Sequence, residues 1–415
     1  MQLDLFAEVA AAYAAAPNGR LKTAELYAVV ADRMDVPSDV VNKRSPVGVA
    51  GEQYPIWKRR VRFAQQTLKQ MAVLERVAGE RGVWSLTESA GRKLCRAAAG
   101  VKLIAFSTEL GACVWGTNTD VLGGLDEQIV LMVSSPPYPL ARPRAYGGPS
   151  EAEYVEFICQ ALKPVVERLV LGGSIVLNLS NDVFERHSPA RSTYRERLVL
   201  ALRERLNLFK VSELPWVNKS KPPGPIRYAS IERCHLNSAW EPVYIFTQDP
   251  HRWQKMADNR RVLVPHTEKH LRLMAGGGEK RTTSYGDGAY RLREGSFGSV
   301  TEGRIPKNVL EGGHGCADTL AYRRNARALG LPVHGAMMPS WIPSFLIEYL
   351  SEPGSLVLDI FGGTSKTGLN AERLGRRWLT IEWMLEYVRA SAESFRNFPG
   401  FHLHPALSSV GELQI

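Results

Sequence analysis

The 415-residue chain predicts an α/β fold: a doubly wound, mostly parallel sheet preceded by a smaller helical unit. Three observations predict it. Between residues 125 and 250, apolar runs (QIVLMV from Gln128, GSIVLNL from Gly173, EPVYIFTQ from Glu241) alternate with stretches of helical period. Near the C-terminal end, SLVLD closes on Asp359 and is followed by the glycine-rich turn FGGTSKTG, a helical run and a second strand, RWLTIE, ending in Glu382. Residues 1–98 lack this alternation and read as helices followed by a β hairpin.

Composition narrows the class. Hydrophobic residues make up 44% of the chain, ordinary for a globular protein, and no run reaches the roughly 18 apolar residues of a membrane span. The opening MQLDLFAEVAAAYAAAPNG carries Asp4 and Glu8 and lacks a basic lead, which argues against a secretory signal. Cys95, Cys113, Cys159, Cys234 and Cys316 are scattered without a CxxC pair, so neither a zinc site nor a disulfide framework is expected, and the expected location is the cytoplasm. Charge is concentrated. Residues 1–100 carry 15 Lys and Arg against 10 Asp and Glu, residues 251–310 carry 12 against 6, and the whole chain has a net charge of +10. Basic excess gathered in two segments fits a polyanionic partner, because Lys and Arg displace counterions from phosphates. A solvated basic face is the alternative.

In order along the chain, TAELYAVVADRM from Thr23 has helical spacing and SDVVNKRSPVG from Ser38 breaks it. In IWKRRVRFAQQTLKQMAVL, Val61, Ala64, Leu68 and Met71 share one helical face. LERVAGERGVWSLTESAGRKL from Leu74 reads as two short strands around AGERG. Helices, a basic helix and a β wing resemble winged-helix DNA-binding domains, particularly those preceding some restriction-related proteins. That resemblance implies that Lys58, Arg59 and Arg62, with Arg60, face phosphate; a plain helical cap on the next domain is the other reading. SEAEYVEFICQALKPVVERL from Ser150 and STYRERLVLALRERL from Ser192 are the helices between the apolar strands. Residues 251–316 lose this rhythm and turn basic and glycine-rich, as in LMAGGGEKRTTSYGDGAYRLREGSFGS from Leu273. A long irregular insert in a compact domain is functional or disordered. PSWIPSFLIEYL from Pro339 restores the helical pattern.

Two loops carry chemistry. VSSPPYPL, Val133 to Leu140, leaves an apolar strand with two hydroxyls, prolines and a tyrosine. It reads either as a proline-rich turn or as a reactive loop at the carboxyl edge of a sheet, where open α/β proteins bind ligands. In the second, the glycines of Phe361-Gly362-Gly363-Thr364 let backbone approach a ligand closely, and Glu382 lies 23 residues after Asp359. An acidic residue at that distance binds ribose hydroxyls in doubly wound folds. The turn fits neither G-x-G-x-x-G nor a P-loop, so it predicts a nucleoside-type ligand of another class.

Together the loops resemble the S-adenosylmethionine-dependent DNA amino-methyltransferases: DIFGGTSKTG is similar to their motif I and SPPY to their catalytic motif IV. HGAMMPSWIPSFLIEYL from His334 resembles motif X, RWLTIEW motif II, and LPWVNKSKPPGPIRYASIERCHLNSAWEPVYIFTQ from Leu214 motif VIII. The resemblance covers roughly residues 125–400. Motif IV precedes motif I, the order of the β group, and S-P-P-[YF] is typical of its cytosine-N4 branch, the PvuII type. Three positions depart from the pattern: His334-Gly335-Ala336-Met337-Met338-Pro339 replaces H-P-A-x-F-P, Ser365 and Lys366 replace Gly, Asn or Thr, and Asn178 stands where some relatives place an acid.

The resemblance implies a Rossmann-like methyltransferase sheet, with residues 99–250 as the catalytic subregion, 251–316 as an inserted target-recognition region and 317–415 as the cofactor-binding subregion, behind a winged-helix-like domain at 1–98. It implies site-specific transfer of a methyl group from S-adenosylmethionine to the N4 amine of a flipped-out cytosine. Ser135, Pro136, Pro137 and Tyr138 are then the catalytic residues; Asp359, Phe361, Gly362, Gly363, Thr364, Glu382 and Trp383 meet the cofactor; Lys280, Arg281, Arg291 and Arg293 join the N-terminal cations on DNA. Core packing is the other reading of Phe361 and Trp383. No metal is implied, and the HTEKH pair His266 and His270 reads as solvated or phosphate-facing. The expected partners are double-stranded DNA and a cognate restriction endonuclease, with no membrane, and the expected state is a monomer or weak dimer. Adenine-N6 methylation and a catalytically silent DNA-binding protein of the same fold are the alternatives.

Overall fold

The computed structural model describes residues 2–47, 52–70, 74–77, 79–86, 96–97, 100–140, 144 and 146–407. Met71, Cys95, the expected domain boundary at 98 and the residues after Leu86 in the expected hairpin lie outside them. The chain divides into two compact units: residues 1–95 with 142–147 and 326–335, and residues 96–141 with 148–325 and 336–415.

The first unit contains helices α1 (Gln2–Ala15), α2 (Thr23–Arg33), α3 (Ser38–Asn42) and α4 (Ile56–Gln70). Strands β1 (Arg20–Lys22), β4 (Leu74–Arg76) and β5 (Val83–Leu86) form an antiparallel sheet in the order β1-β5-β4, and β2 (Arg44–Val47) pairs with β3 (Glu52–Pro55). The helix period of α4 acts as the sequence implies. Val61, Ala64 and Leu68 are buried with Val9, Leu26, Val30 and Trp84, while Arg59 and Arg62 on the opposite face are exposed. Buried Gln65 donates to Tyr13 Oη at 2.7 Å and Thr23 Oγ1 at 3.1 Å, tying α4 to α1 and α2.

The second unit is built on a ten-stranded sheet. Its strands are β6 (Lys102–Ser107), β7 (Gly111–Gly116), β8 (Ile129–Ser134), β9 (Leu169–Asn178), β10 (Phe209–Val217), β11 (Trp240–Thr247), β14 (Leu310–Glu311), β15 (Leu356–Asp359), β16 (Arg377–Glu382) and β17 (His402–Leu403), and a separate hairpin joins β12 (Thr283–Tyr285) to β13 (Tyr290–Leu292). The sheet order is β14-β10-β11-β9-β8-β15-β16-β7-β6-β17. The five central strands, β9 to β7, run parallel; β11, β10, β6 and β17 add antiparallel pairs at the two sides. The sheet is therefore mixed, but eight of its ten strands run in one direction and only β11 and β6 oppose them. The insert contributes β14 to one edge, parallel to β10 through Trp216 opposite Leu310.

The α-helices of this part are α5 (Asn118–Leu122), α6 (Tyr154–Val166), α7 (Tyr194–Leu206), α8 (Pro250–Met256), α9 (Glu268–Ala275), α10 (Ala317–Ala328), α11 (Trp341–Leu350), α12 (Lys366–Arg373) and α13 (Leu385–Ala392). Alternate residues of β8, β9 and β15 enter different cores. Met132 and Leu358 pack with Ile158, Leu162 and Leu198 of α6 and α7. Leu131, Val133 and Val357 pack with Ile342, Leu346 and Val388 of α11 and α13. Burial on both faces is why these strands read as unbroken apolar runs. The parallel strands β8, β9, β15 and β16 end on one edge of the sheet, at Ser134, Asn178, Asp359 and Glu382. Because β11 is antiparallel to β9 and β10 to β11, the loop from β10 to β11 rises from that same edge.

Candidate active site

Asp359 ends β15 with its side chain turned into the protein, only 4% exposed. Its Oδ1 accepts from Ser134 Oγ at 2.6 Å and from the Phe361 N–H at 3.1 Å, and its Oδ2 accepts from Thr367 Oγ1 at 2.9 Å. Ser134 Oγ also accepts from the Ile360 N–H at 3.2 Å. Side-chain and backbone groups thus stitch the end of β8, the end of β15 and the first turn of α12 into one node. Burial holds the Asp359 carboxyl above its ordinary range, with the three donors offsetting only part of that rise.

The turn after Asp359 is bent by Gly363 at φ +50° and Ser365 at φ +52°, both left-handed. Ser365 is held there by its N–H to the Gly362 carbonyl at 2.7 Å and by its Oγ against Cys113 Sγ at 3.6 Å and Thr380 Oγ1 at 3.4 Å. The turn lies close to β16: the Gly362 N–H donates to the Ile381 carbonyl at 2.8 Å, and a Cβ at Gly362 would stand 3.0 Å from that oxygen. Glu382 is 7% exposed and accepts the Gly363 N–H at 2.6 Å and the Met384 N–H at 2.8 Å. Burial pushes its carboxyl up to about 7. A carboxylate has about four acceptor positions, so Glu382 keeps capacity for a hydroxyl donor. Phe361 and Trp383 are half-buried. The Phe361 ring lies 5.9 Å from that of Phe157, and the Arg96 guanidinium sits 5.0 Å over the Trp383 ring. Thr364 is buried behind the turn.

At the end of β8, Pro136 and Pro137 are buried and Ser135 and Tyr138 half-buried. Tyr138 Oη donates to Asn178 Oδ1 at 3.2 Å and lies 3.1 Å from Ser135 Oγ, so the hydroxyls form a directed chain from Ser135 through Tyr138 to Asn178. Burial, followed by the nearby Glu241 charge, raises the Tyr138 phenol well above its ordinary range and keeps it protonated.

The expected catalytic and cofactor residues therefore share the carboxyl edge of one sheet. The expected DNA-facing cations are divided between the two units. Lys58, Arg59 and Arg62 lie on α4 of the first, whereas Lys280, Arg281, Arg291 and Arg293 belong to the second, around the β12–β13 hairpin. Arg281 stands 3.6 Å from Glu279. The His266–His270 pair is neither fully solvated nor free: both are half-buried, and His266 Nε2 bonds Thr301 Oγ1 at 2.9 Å. Sequence reasoning missed Ser134 and Thr367. Their signals were the first serine of the Ser134-Ser135 doublet and the threonine before Gly368, each read as part of a loop.

Residues 129–393 match the DNA methylase family, well over half of the chain. The chain belongs to the DNA methylase family. Ahead of that match, residues 6–97 of the methylase match the Mrr N-terminal domain. The type II methyltransferase M.PvuII of Proteus hauseri is 32% identical to it over 292 residues, covering 70% of the methylase and 85% of the relative. The solved PvuII DNA methyltransferase, cytosine-N4-specific, is similar in structure with a TM-score of 0.55 at 27% identity, covering 74% of the methylase and 93% of that chain. A Thermus thermophilus protein, a DNA modification methylase by its description and solved with S-adenosyl-L-methionine, gives a TM-score of 0.42 at 18% identity, over 71% of the methylase and 96% of that chain. Among the described residues, no helix is long and apolar enough to cross a membrane.

Proposed function

We propose that the methylase transfers the methyl group of S-adenosylmethionine to the exocyclic N4 amine of a cytosine in duplex DNA. The observation that carries this reading is the Ser134–Asp359 bond, which locks the SPPY loop beside the glycine turn. The relative M.PvuII, solved as a cytosine-N4-specific enzyme, supports cytosine over adenine.

The donor set suits the cofactor. Glu382, at a strand end and backed by the Gly363 and Met384 N–H groups, is placed for ribose hydroxyls. Phe361 and Trp383 would border the adenine of the cofactor, and the Gly362–Gly363 turn with Thr364 would hold its methionine half. Asp359 shapes the turn from behind. When bound, the cofactor supplies a methyl group on a sulfonium. The cytosine amine is a poor nucleophile because its lone pair is delocalised into the ring. Backbone carbonyls of Ser135 and Pro136 accept its hydrogens and draw it out of the ring plane, with the proline φ values pre-setting their direction. The Tyr138 ring stacks on the base while its hydroxyl, fixed on Asn178, orients it. The proton shed by the methylated amine leaves to water, while Ser135 Oγ, whose own hydrogen is directed at Tyr138, helps to hold the ring through its remaining lone pair. Reaching this pocket requires the base to leave the helix, at a cost of a few kcal/mol, and much of the rate gain is positioning of amine against methyl.

We further read the first unit as a DNA-binding winged helix that adds phosphate contacts through Lys58, Arg59 and Arg62, and residues 251–316 as the region that reads the target, with Lys280, Arg281, Arg291 and Arg293 on DNA. A restriction-modification setting with a cognate endonuclease, for which the type II relative is the support, a monomeric or weakly dimeric state and a cytoplasmic location complete the reading. The test is incubation with unmethylated plasmid and S-adenosylmethionine, then nucleoside mass spectrometry of the digested DNA. N4-methylcytosine is expected. N6-methyladenine would overturn the base assignment, and no modified base would overturn the activity.

A further inference from the structure

The β10–β11 loop, residues 218–239, is a built structure with apolar tips. Its feet are closed by the Asn218 N–H to the Ala239 carbonyl at 2.7 Å and the Ser238 N–H to the Gly224 carbonyl at 2.8 Å. Lys221 at its base reaches Asp182 at 3.1 Å and Glu241 at 3.0 Å. Tyr228 turns inward, its ring 5.0 Å from that of Phe184, and its carbonyl accepts the Cys234 N–H at 2.9 Å. Outward the loop presents Ile226, Ile231 and Leu236, at 66%, 72% and 90% exposure; Leu236 is the most exposed large apolar side chain among the described residues. Single exposed apolar residues are ordinary on protein surfaces, but three on one anchored loop, flanked by exposed Lys219 and Arg233, ask for a partner that is anionic outside and apolar inside.

The loop's position identifies that partner. It rises from the sheet edge that holds the SPPY loop. Asn178, which accepts from the Tyr138 hydroxyl, pairs in register with Val243, two residues beyond Glu241 at the loop's foot. A duplex whose base sits against Tyr138 would have its stack beside this loop. Apolar Leu and Ile side chains are suited to entering a base step and filling the space an extruded base leaves.

We propose that Leu236, supported by Ile231, is the wedge that enters the DNA stack when the target base is turned out, with Lys219 and Arg233 on the flanking phosphates. The proposal rests on the base-methylation reading above. Its test uses two duplexes carrying the site recovered from methylated plasmid, identical except that the target cytosine faces guanine in one and a mispaired adenine in the other. A mispaired base is cheaper to extrude. Leu236→Ala is expected to lose about tenfold in kcat/KM on the paired duplex and far less on the mispaired one, raising the mispaired-to-paired ratio. Ile231→Ala should shift the ratio less in the same direction, and Leu200→Ala, at an exposed apolar position on α7, should leave it unchanged. An unchanged ratio in Leu236→Ala, whatever the absolute rate, overturns the wedge, as does a Leu200→Ala shift of equal size. If the unaltered enzyme modifies neither duplex, the methylation reading falls and the wedge falls with it.

Discussion

Ser134 and Asp359 are separated by 225 positions in the chain and by 2.6 Å in the fold. The residue immediately before the SPPY loop thereby donates to the residue that closes the strand ahead of the glycine turn. Removing that donor should affect both loops. Ser134→Ala leaves a buried carboxyl oxygen short of a partner and should cost about 1–3 kcal/mol of stability, read as a lowered urea midpoint. A double-mutant cycle with Asp359→Asn should return an interaction energy of about 0.5–3 kcal/mol, whereas additive effects would show that the bond couples nothing.

Glu382 sets a pH dependence. Its carboxyl is pushed up to about 7 in the fold, from an ordinary value of 4.5. The folded state therefore holds a proton that the unfolded chain has released between those two values. The stability contribution is present below about 4.5 and is lost as pH rises to about 7. Cofactor binding runs the other way, because ribose hydroxyls need the ionised acceptor. Affinity for S-adenosylmethionine, measured calorimetrically, should rise about tenfold per pH unit on approaching pH 7 and then level off. Glu382→Gln should bind weakly with a flat profile; a flat profile in the unaltered protein would remove Glu382 from the site.

Tyr138 separates stacking from orientation. Tyr138→Phe keeps the ring but loses the bond to Asn178, so kcat should fall by less than about tenfold with KM little changed. Tyr138→Ala removes the stacking surface as well, worth about 1–3 kcal/mol, and should lower kcat/KM by about 10-fold to 100-fold. Equal effects of the two substitutions would place the role in the hydroxyl alone.

The arginines of α4 should appear in salt dependence. Each phosphate contact contributes about 0.9 to the slope of log affinity against log salt. Arg59→Ala with Arg62→Ala should flatten that slope by about 1.8 in fluorescence-anisotropy titrations, while the methylated sequence stays the same. An unchanged slope would assign the basic face of α4 to solvent.

Much of this arrangement was legible in the sequence. The apolar runs at Gln128, Gly173 and Leu356 became β8, β9 and β15, because strands buried on both faces carry no polar alternation to confuse them. Val61, Ala64 and Leu68 marked the buried face of α4 by period alone. Two strands on one side of the sheet escaped notice. β6 and β7 mix small, polar and aromatic residues, and the pairing of β7 with β16 is a long-range contact that no local pattern encodes. The same holds within the site. Ser135, Tyr138, Asp359 and Glu382 stood out by residue type and spacing, whereas Ser134 and Thr367 matter only because the fold brings them to Asp359.

The parallel pairing of β8 with β15 also bears on synthesis. A chain emerging from the ribosome exposes the SPPY loop long before β15 exists, and closing so distant a contact is slow compared with local folding. Until Asp359 has been translated and seated against Ser134, the nascent protein has neither a cofactor turn nor a fixed catalytic loop. Activity therefore appears only once Asp359 has been made and seated, and a product terminated before it is silent toward DNA.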